Sequence, residues 1–195
     1  DRAVAQPDGS AAVVRSAGLI YNDTYFLEYF YRGLVVSATY GYGFETSGSY
    51  DGSGGDGSIV EADAEASAAL FGDHRLSFSA AGGYSELPIP NLDELSGAGF
   101  RVLPFRSAVG RSYAAGSVTY ELPFYRPEWG TWTFTGFFDG GVYEPEEGRY
   151  EHFYGPGGGF RLYMNKVAIP AVGVNLGFEL PTQTLHTSIV IGMRM

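Results

Sequence analysis

The sequence predicts an all-β fold, an antiparallel up-and-down transmembrane β-barrel of about eight or nine strands. Along residues 34–45, apolar or aromatic side chains alternate with small or polar ones, which gives a strand one apolar face and one polar face. The alternation returns along residues 59–70, where the polar positions include Glu61, Asp63 and Glu65. Carboxylates at every second position are compatible with a water-filled interior. The apolar side chains on the opposite face are compatible with contact with lipid hydrocarbon. Such segments, separated by glycine-rich loops, are typical of outer-membrane barrels.

Composition limits the alternatives. The chain has 195 residues, which suits one domain, and it contains 29 Gly, 15 Tyr and 14 Phe. No run of about 18 apolar residues is present, so the sequence predicts no transmembrane helix. Because there is no cysteine, disulfides, thiolate metal sites and cysteine nucleophiles are excluded. The formal charge of -10, with only 12 Lys and Arg, argues against nucleic acid as a partner.

Turn-forming and polar segments separate the predicted strands of the first half. Residues 1–10 are expected to be a polar N-terminal tail, and residues 11–195 the barrel domain. We expect an aromatic-rich turn at 24–31, a Gly/Ser/Asp loop at 46–58 and a tight turn around Gly72. The strands between these segments are predicted at about residues 12–21, 34–45, 59–70 and 74–84.

A long connection, residues 85–111, interrupts this rhythm of hairpins. It contains three prolines and the basic residues Arg101 and Arg106. Connections of this length usually have a function. A second polar connection, an acidic loop, is expected at residues 144–151. The strands of the second half are predicted at about residues 113–124, 131–143, 154–164, 171–180 and 185–195, so that the chain ends inside a strand.

Several short landmarks fall in a fixed order along the chain. They are Tyr-Arg-Gly-Leu at 31–34, Phe-Arg at 100–101, Ser-Val-Thr-Tyr-Glu-Leu-Pro-Phe at 117–124, Phe-Phe-Asp-Gly-Gly at 137–141 and Gly-Pro-Gly-Gly-Gly-Phe-Arg at 155–161. From about Asn22 to Met195, this order resembles the C-terminal part of the barrel of BamA-type outer-membrane assembly and translocation proteins, the bacterial surface antigen family. The periplasmic modules of that family are not found in this chain.

The resemblance implies that the long loop, 85–111, folds into the lumen and is held there by an arginine. Arg101 is the candidate, with Arg106 as its rival, because the family usually has Arg-Gly-aromatic where this chain has Val102 after Arg101. Glu121 and Asp139 match the family's acidic wall positions and would accept bidentate guanidinium bonds. Alternation and resemblance together predict these polar residues facing the lumen: Glu61, Asp63, Glu65, Arg161 and Glu179.

Strand number raises the question of how the sheet closes. The family's barrel is implied to have about twice as many strands as are predicted here. A barrel of about eight strands is filled by its own side chains, which leaves little room for a long loop. Unpaired edges in lipid would cost several kcal/mol for each unsatisfied backbone group. We therefore expect the edges to pair with a second copy or with another barrel chain, and closure as a small monomer is the alternative.

Little in the sequence favours catalysis or a cofactor. His74, His152 and His186 lie in different hairpins, without metal-ligand spacing. The acidic residues around 144–151 could bind Ca²⁺ or simply face solvent. No Gly-x-Ser-x-Gly motif is present, and the glycines at 155–159 lead into a strand without the Lys-Ser/Thr of a phosphate loop. We predict no enzyme activity, no cofactor and no metal; a membrane lipase or protease is the remaining enzyme class.

The resemblance implies a location in the outer membrane of a Gram-negative bacterium, in contact with its lipid. The predicted function is insertion or translocation of client outer-membrane proteins by strand pairing and lumen gating. A passive pore is the first alternative, because Glu61, Asp63 and Glu65 would favour cations. A structural subunit or scaffold in a larger complex is the second.

Overall fold

The chain folds into a single antiparallel sheet. The structure is a computed structural model that describes residues 2–5, 11–27, 29–47, 57–86, 101–103, 111–146, 148–164 and 172–191. Its strands are β1 Arg2–Ala5, β2 Ala11–Leu27, β3 Phe30–Ser47, β4 Gly57–Leu70, β5 His74–Ser85, β6 Ser112–Tyr125, β7 Gly130–Glu146, β8 Arg149–Met164, β9 Val172–Glu179 and β10 Thr184–Ile191.

Every strand pairs with the next one in sequence, in the order β1 to β10. Nine strands of at least eight residues follow the four-residue β1. The prediction of an all-β, antiparallel up-and-down sheet is confirmed. The sheet is not closed into a barrel: within the described residues, no ladder joins β10 to β1 or β2.

The two faces of the sheet differ in polarity. The inner face is defined here by Ser117, Glu121, Thr135 and Asn175, which lie on β6, β7 and β9 and are all buried. The ladders connect these positions from strand to strand, since Glu121 pairs with Thr135, Thr135 with Gly159 and Gly159 with Asn175. The outer face lies opposite and carries exposed apolar side chains, among them Phe78, Val118, Phe138 and Val174.

The sheet curls around its inner face. Tyr29, in the turn between β2 and β3, has its ring centroid 5.1 Å from that of Tyr163 on β8. Arg126, which follows β6, lies 5.9 Å from the centre of the Tyr29 ring. Strands that are distant in sheet order therefore meet across the inner face, and the sheet forms a trough with an open side between β2 and β10.

Successive connections alternate between the two ends of the strands. Tight turns join β2 to β3, β4 to β5 and β6 to β7, and this end is called the short-turn end below. The tight hairpin at Gly148 and the turn at residues 180–183 lie at the opposite end, where β3 and β5 also end.

Two local predictions were wrong. The aromatic turn expected at 24–31 is mostly strand, because β2 continues to Leu27 and β3 begins at Phe30. The acidic loop expected at 144–151 is a tight hairpin, in which Gly148 adopts a φ of 78° that favours glycine. Residues 2–5, within the expected polar tail, form β1. The predicted end of the last strand, residues 192–195, lies outside the described residues, as does most of the loop 85–111.

In the part of the chain that the structure describes, no helix is long and apolar enough to cross a lipid bilayer.

Candidate functional site

Arg101 lies against the inner face and binds Asp139 of β7. Its side chain is 8% exposed and that of Asp139 is fully buried. Nη2 of Arg101 lies 2.7 Å from Oδ1 of Asp139, and Nε donates to Oδ2 at 3.2 Å. The backbone N–H of Arg101 also donates to Oδ2, at 2.5 Å. The carboxylate thus fixes both the guanidinium and the main chain of the segment 101–103, which makes the contact directional.

Neighbouring strands complete the surroundings of this guanidinium. Nη2 of Arg101 donates to Ser117 Oγ at 2.8 Å and to Thr119 Oγ1 at 2.9 Å, both on β6. The guanidinium carbon lies 3.6 Å from the centre of the Phe137 ring, in a cation–π contact. A buried charge costs free energy unless it is paired and hydrogen-bonded. Here the charge has a carboxylate, two hydroxyls and a ring.

Gly177 allows the backbone of the segment 101–103 to lie close to β9. A Cβ atom at Gly177 of β9 would lie 2.5 Å from the carbonyl oxygen of Arg101. Val102 and Leu103 are buried and pack with Phe137 and Phe153 in one apolar cluster. The segment 101–103 is therefore held by an ion pair and by apolar packing, and its backbone lies close to β9 because Gly177 has no side chain.

Glu121 occupies a second buried cluster, nearer the short-turn end. Its Oε1 lies 2.6 Å from Nη1 of Arg161 and 3.5 Å from Nη1 of Arg75. Its Oε2 accepts from the Tyr163 hydroxyl at 2.7 Å and from Thr133 at 3.4 Å. The side chain of Glu121 is fully buried. Both oxygens of the carboxylate are thus bound by groups from β5, β7 and β8.

The charges of the two clusters balance. Arg75 reaches Glu65 on β4 at 2.8 Å in addition to Glu121, which links β4 to the Glu121 cluster. Three arginines therefore face three carboxylates along the inner face. The arginines are Arg75, Arg101 and Arg161, and the carboxylates are Glu65, Glu121 and Asp139. Pairing with carboxylates lowers the cost of burying the arginines, and Glu65, at 42% exposure, is the one partner that stays in contact with water.

The structure brings some of the sequence-predicted residues together and leaves others apart. Arg101 contacts Asp139 and not Glu121, whose partners are the wall arginines. Asp63 is exposed and accepts from Ser37 at 2.5 Å, whereas Glu61 is partly buried. Glu179 is 7% exposed and accepts from Thr182 at 2.7 Å. Arg106, the rival for the anchoring role, lies outside the described residues.

Sequence reasoning missed three residues of the Glu121 cluster and its surroundings. Arg75 was not singled out, although the β5–β6 ladder pairs it directly with Glu121. Tyr163 was also missed, although alternation along β8 places it on the same face as Arg161. Tyr29 could not have been found, because its contact with Tyr163 depends on the curl of the sheet.

The histidines and carboxylates do not assemble into a metal site within the described residues, where no group of three or more potential ligands is found. His186 lies 3.4 Å from Glu179, and His152 stacks on Tyr154 with ring centroids 6.0 Å apart. His74 contacts the hydroxyl of Tyr120. Each histidine therefore has a local partner in a different part of the sheet.

Comparisons with known proteins leave the family open: no family model matches the chain, and neither curated proteins nor solved structures gave a significant match.

Proposed function

We propose that this chain is an outer-membrane β-sheet protein of the BamA type, acting in insertion or translocation of outer-membrane proteins by strand pairing. Support comes first from the outer face. An exposed apolar surface of this extent is unfavourable in water and marks a contact with lipid or protein. Its large exposed side chains include Leu34, Val36, Val60, Phe78, Val118, Phe134, Phe138, Phe160, Val174, Leu176 and Ile189.

The open edges of the sheet support the mechanism. In the described residues, β2 beyond Val14 pairs only with β3, and β10 pairs only with β9. Unpaired N–H and C=O groups in hydrocarbon cost several kcal/mol each, so these edges require a partner strand. An edge that needs a partner is also the surface that adds a strand of another chain.

Strand direction specifies that partner further. Because successive strands are antiparallel, β2 and β10 run in the same direction, and direct pairing between them would be parallel. Single-chain bacterial barrels have an even number of strands and close antiparallel. A single strand that is antiparallel to both β2 and β10 would fit between them. β1 already pairs with residues 11–14 of β2 in that position. We therefore favour pairing of these edges with a strand from a different barrel chain over pairing with the edges of a second copy of this chain.

A passive pore is the second candidate. Asp63 is exposed on the inner face of β4, so the side of the trough near β2 and β3 is open to water and acidic. Between β5 and β8, however, the segment 101–103 and the Glu121 cluster fill the inner face. This filling favours a gated interior over a permanently open pore.

The test is depletion of the protein in its host, followed by quantitative proteomics of the outer membrane. We expect other β-barrel proteins to decrease while lipoproteins, which need no strand pairing, keep their abundance. Purified protein should show no steady conductance in planar bilayers. Unchanged barrel protein levels after depletion would refute the assembly function, and steady cation conductance together with that result would establish the pore instead.

A further inference from the structure

The tip of the β2–β3 hairpin, residues 29–32, pairs with β2 alone and extends beyond the β3–β4 ladder. The β3–β4 ladder begins only at Gly33, which pairs with Ser67. Gly33 has a φ of 131°, a conformation that favours glycine, and a Cβ atom there would collide with the backbone of Asp23. Gly33 is therefore the point at which the hairpin bends, and the tip folds over the inner face.

Two aromatic side chains are buried at this bend. Tyr29 and Phe30 are each 2% exposed, although they belong to a turn at the end of the sheet. Their rings are 5.0 Å apart in an edge-to-face arrangement, and Tyr29 also packs on Tyr163 of β8. Aromatic pairs prefer this geometry, and both rings bury a large apolar area. The tip is thus packed against a strand to which it is not hydrogen-bonded as part of the sheet.

Polar contacts attach the same tip to two other turns. The Tyr29 hydroxyl donates to the backbone carbonyl of Asp73, in the β4–β5 turn, at 2.9 Å. Burial and the nearby Glu121 carboxylate raise the pKa of Tyr29 well above its usual range, so the hydroxyl keeps the proton that it donates. Arg126 lies over the Tyr29 ring and forms an ion pair with Asp73, in which both side chains are 37% exposed.

The tip covers the Glu121 cluster at the short-turn end of the sheet. Tyr163 is 6% exposed and donates to Glu121, so it lies between the tip and the Glu121 cluster. Arg75, another member of that cluster, lies 5.7 Å from the centre of the Phe30 ring. The two aromatic residues therefore stand between the buried ion pairs and the solvent at the short-turn end.

We propose that residues 29–32 form a lid, hinged at Gly33, that closes the short-turn end of the interior and opens without unfolding the rest of the sheet. The lid belongs to the edge hairpin, whose β2 strand has neighbours on one side only over most of its length. The Arg126–Asp73 pair, which joins the two turns that contact Tyr29, is partly exposed and weak compared with buried pairs. Opening exposes Tyr163 and the Glu121 cluster to water.

Thiol labelling tests the lid, because the chain contains no cysteine and one introduced cysteine is unique. Thr131→Cys is the reporter, since Thr131 is 5% exposed and pairs with Tyr163 across the β7–β8 ladder. Thr135→Cys, on the same face of β7 and fully buried farther from the lid, is the matched reporter for the rest of the sheet. Labelling by a charged maleimide in detergent needs no bilayer, so the result is independent of the proposed function.

We expect Tyr29→Ala to raise the labelling rate of Thr131→Cys about tenfold or more, a change of about 1.4 kcal/mol in the opening equilibrium. Labelling of Thr135→Cys should stay slow. Tyr40→Ala, an exposed tyrosine of β3 outside the lid, is the control and should leave both rates unchanged. Equal rates for Thr131→Cys with and without Tyr29 would overturn the lid, and so would acceleration at both reporters, which indicates general unfolding.

A milder perturbation covers the case in which Tyr29→Ala does not fold. High salt screens partly exposed ion pairs, so it should speed labelling of Thr131→Cys in the otherwise unchanged chain. Arg126→Gln should speed it without salt and remove the salt dependence. A salt effect that persists unchanged in Arg126→Gln contradicts the fastening role of this pair and with it the lid.

Discussion

Glu121→Ala is expected to lower the free energy of unfolding by about 3–5 kcal/mol, the usual cost of removing one partner of a buried ion pair. The substitution leaves Arg161 without its 2.6 Å contact and removes one of the two carboxylates that Arg75 reaches. It also leaves the Tyr163 hydroxyl without its acceptor in a buried site. Urea unfolding in detergent, followed by the emission of the two tryptophans, measures the change.

The matched control is Asp63→Ala. Asp63 is also an inner-face carboxylate, but it is exposed and bound to one hydroxyl, that of Ser37. Its replacement should change the free energy of unfolding by about 0.5 kcal/mol or less, as is usual for surface positions. Equal shifts for Glu121→Ala and Asp63→Ala would show that the Glu121 cluster does not hold β5, β7 and β8 together.

The second large effect is expected at the contact between the long loop and the wall. Asp139→Asn removes the charge that pairs with Arg101 and leaves a buried guanidinium without a carboxylate. Local opening of the segment 101–103 should become easier by about 3 kcal/mol. Trypsin cleaves after arginine, and Arg101 is buried in the closed structure. Cleavage after Arg101 should therefore accelerate by about a hundredfold, as mass spectrometry of the two fragments can measure.

Two comparisons make the trypsin result specific. Asp63→Asn carries the same chemical change on the same face, away from the segment 101–103, and should leave cleavage after Arg101 slow. Asp139→Glu keeps the charge and should restore part of the protection. If cleavage after Arg101 is as slow in Asp139→Asn as in the original chain, the ion pair is not what holds the loop against the wall.

The two faces of the sheet could be predicted from the sequence because strand periodicity acts locally. The alternation places Glu121 and Asp139 on the polar face, and both are fully buried on the inner face. Along β9, every second residue from Gly173 to Glu179 is buried, as the same periodicity implies. Short hairpins also fix the neighbours of most strands, whereas the pairing of β5 with β6, across the connection 86–111, is established by the structure.

The contacts across the trough could not be predicted in this way. Whether Arg101 meets Asp139 or Glu121 depends on the depth at which the segment 101–103 lies, which alternation does not determine. The meeting of Tyr29 with Tyr163 needs both the curl of the sheet and the unusual φ of Gly33. The tight hairpin at Gly148 was missed because acidic residues are typical of loops, whereas one glycine with positive φ is enough to turn the strands.

The most direct test is a cysteine scan of β9 in lipid vesicles that contain a quencher buried among the acyl chains. Each position carries one cysteine with a polarity-sensitive fluorophore, introduced into the cysteine-free chain. An outer face in hydrocarbon predicts strong quenching at Val174, Leu176 and Phe178 and weak quenching at Asn175 and Glu179. Uniformly weak quenching, with protein that stays dissolved after the detergent is removed, would contradict a sheet with one face in the membrane.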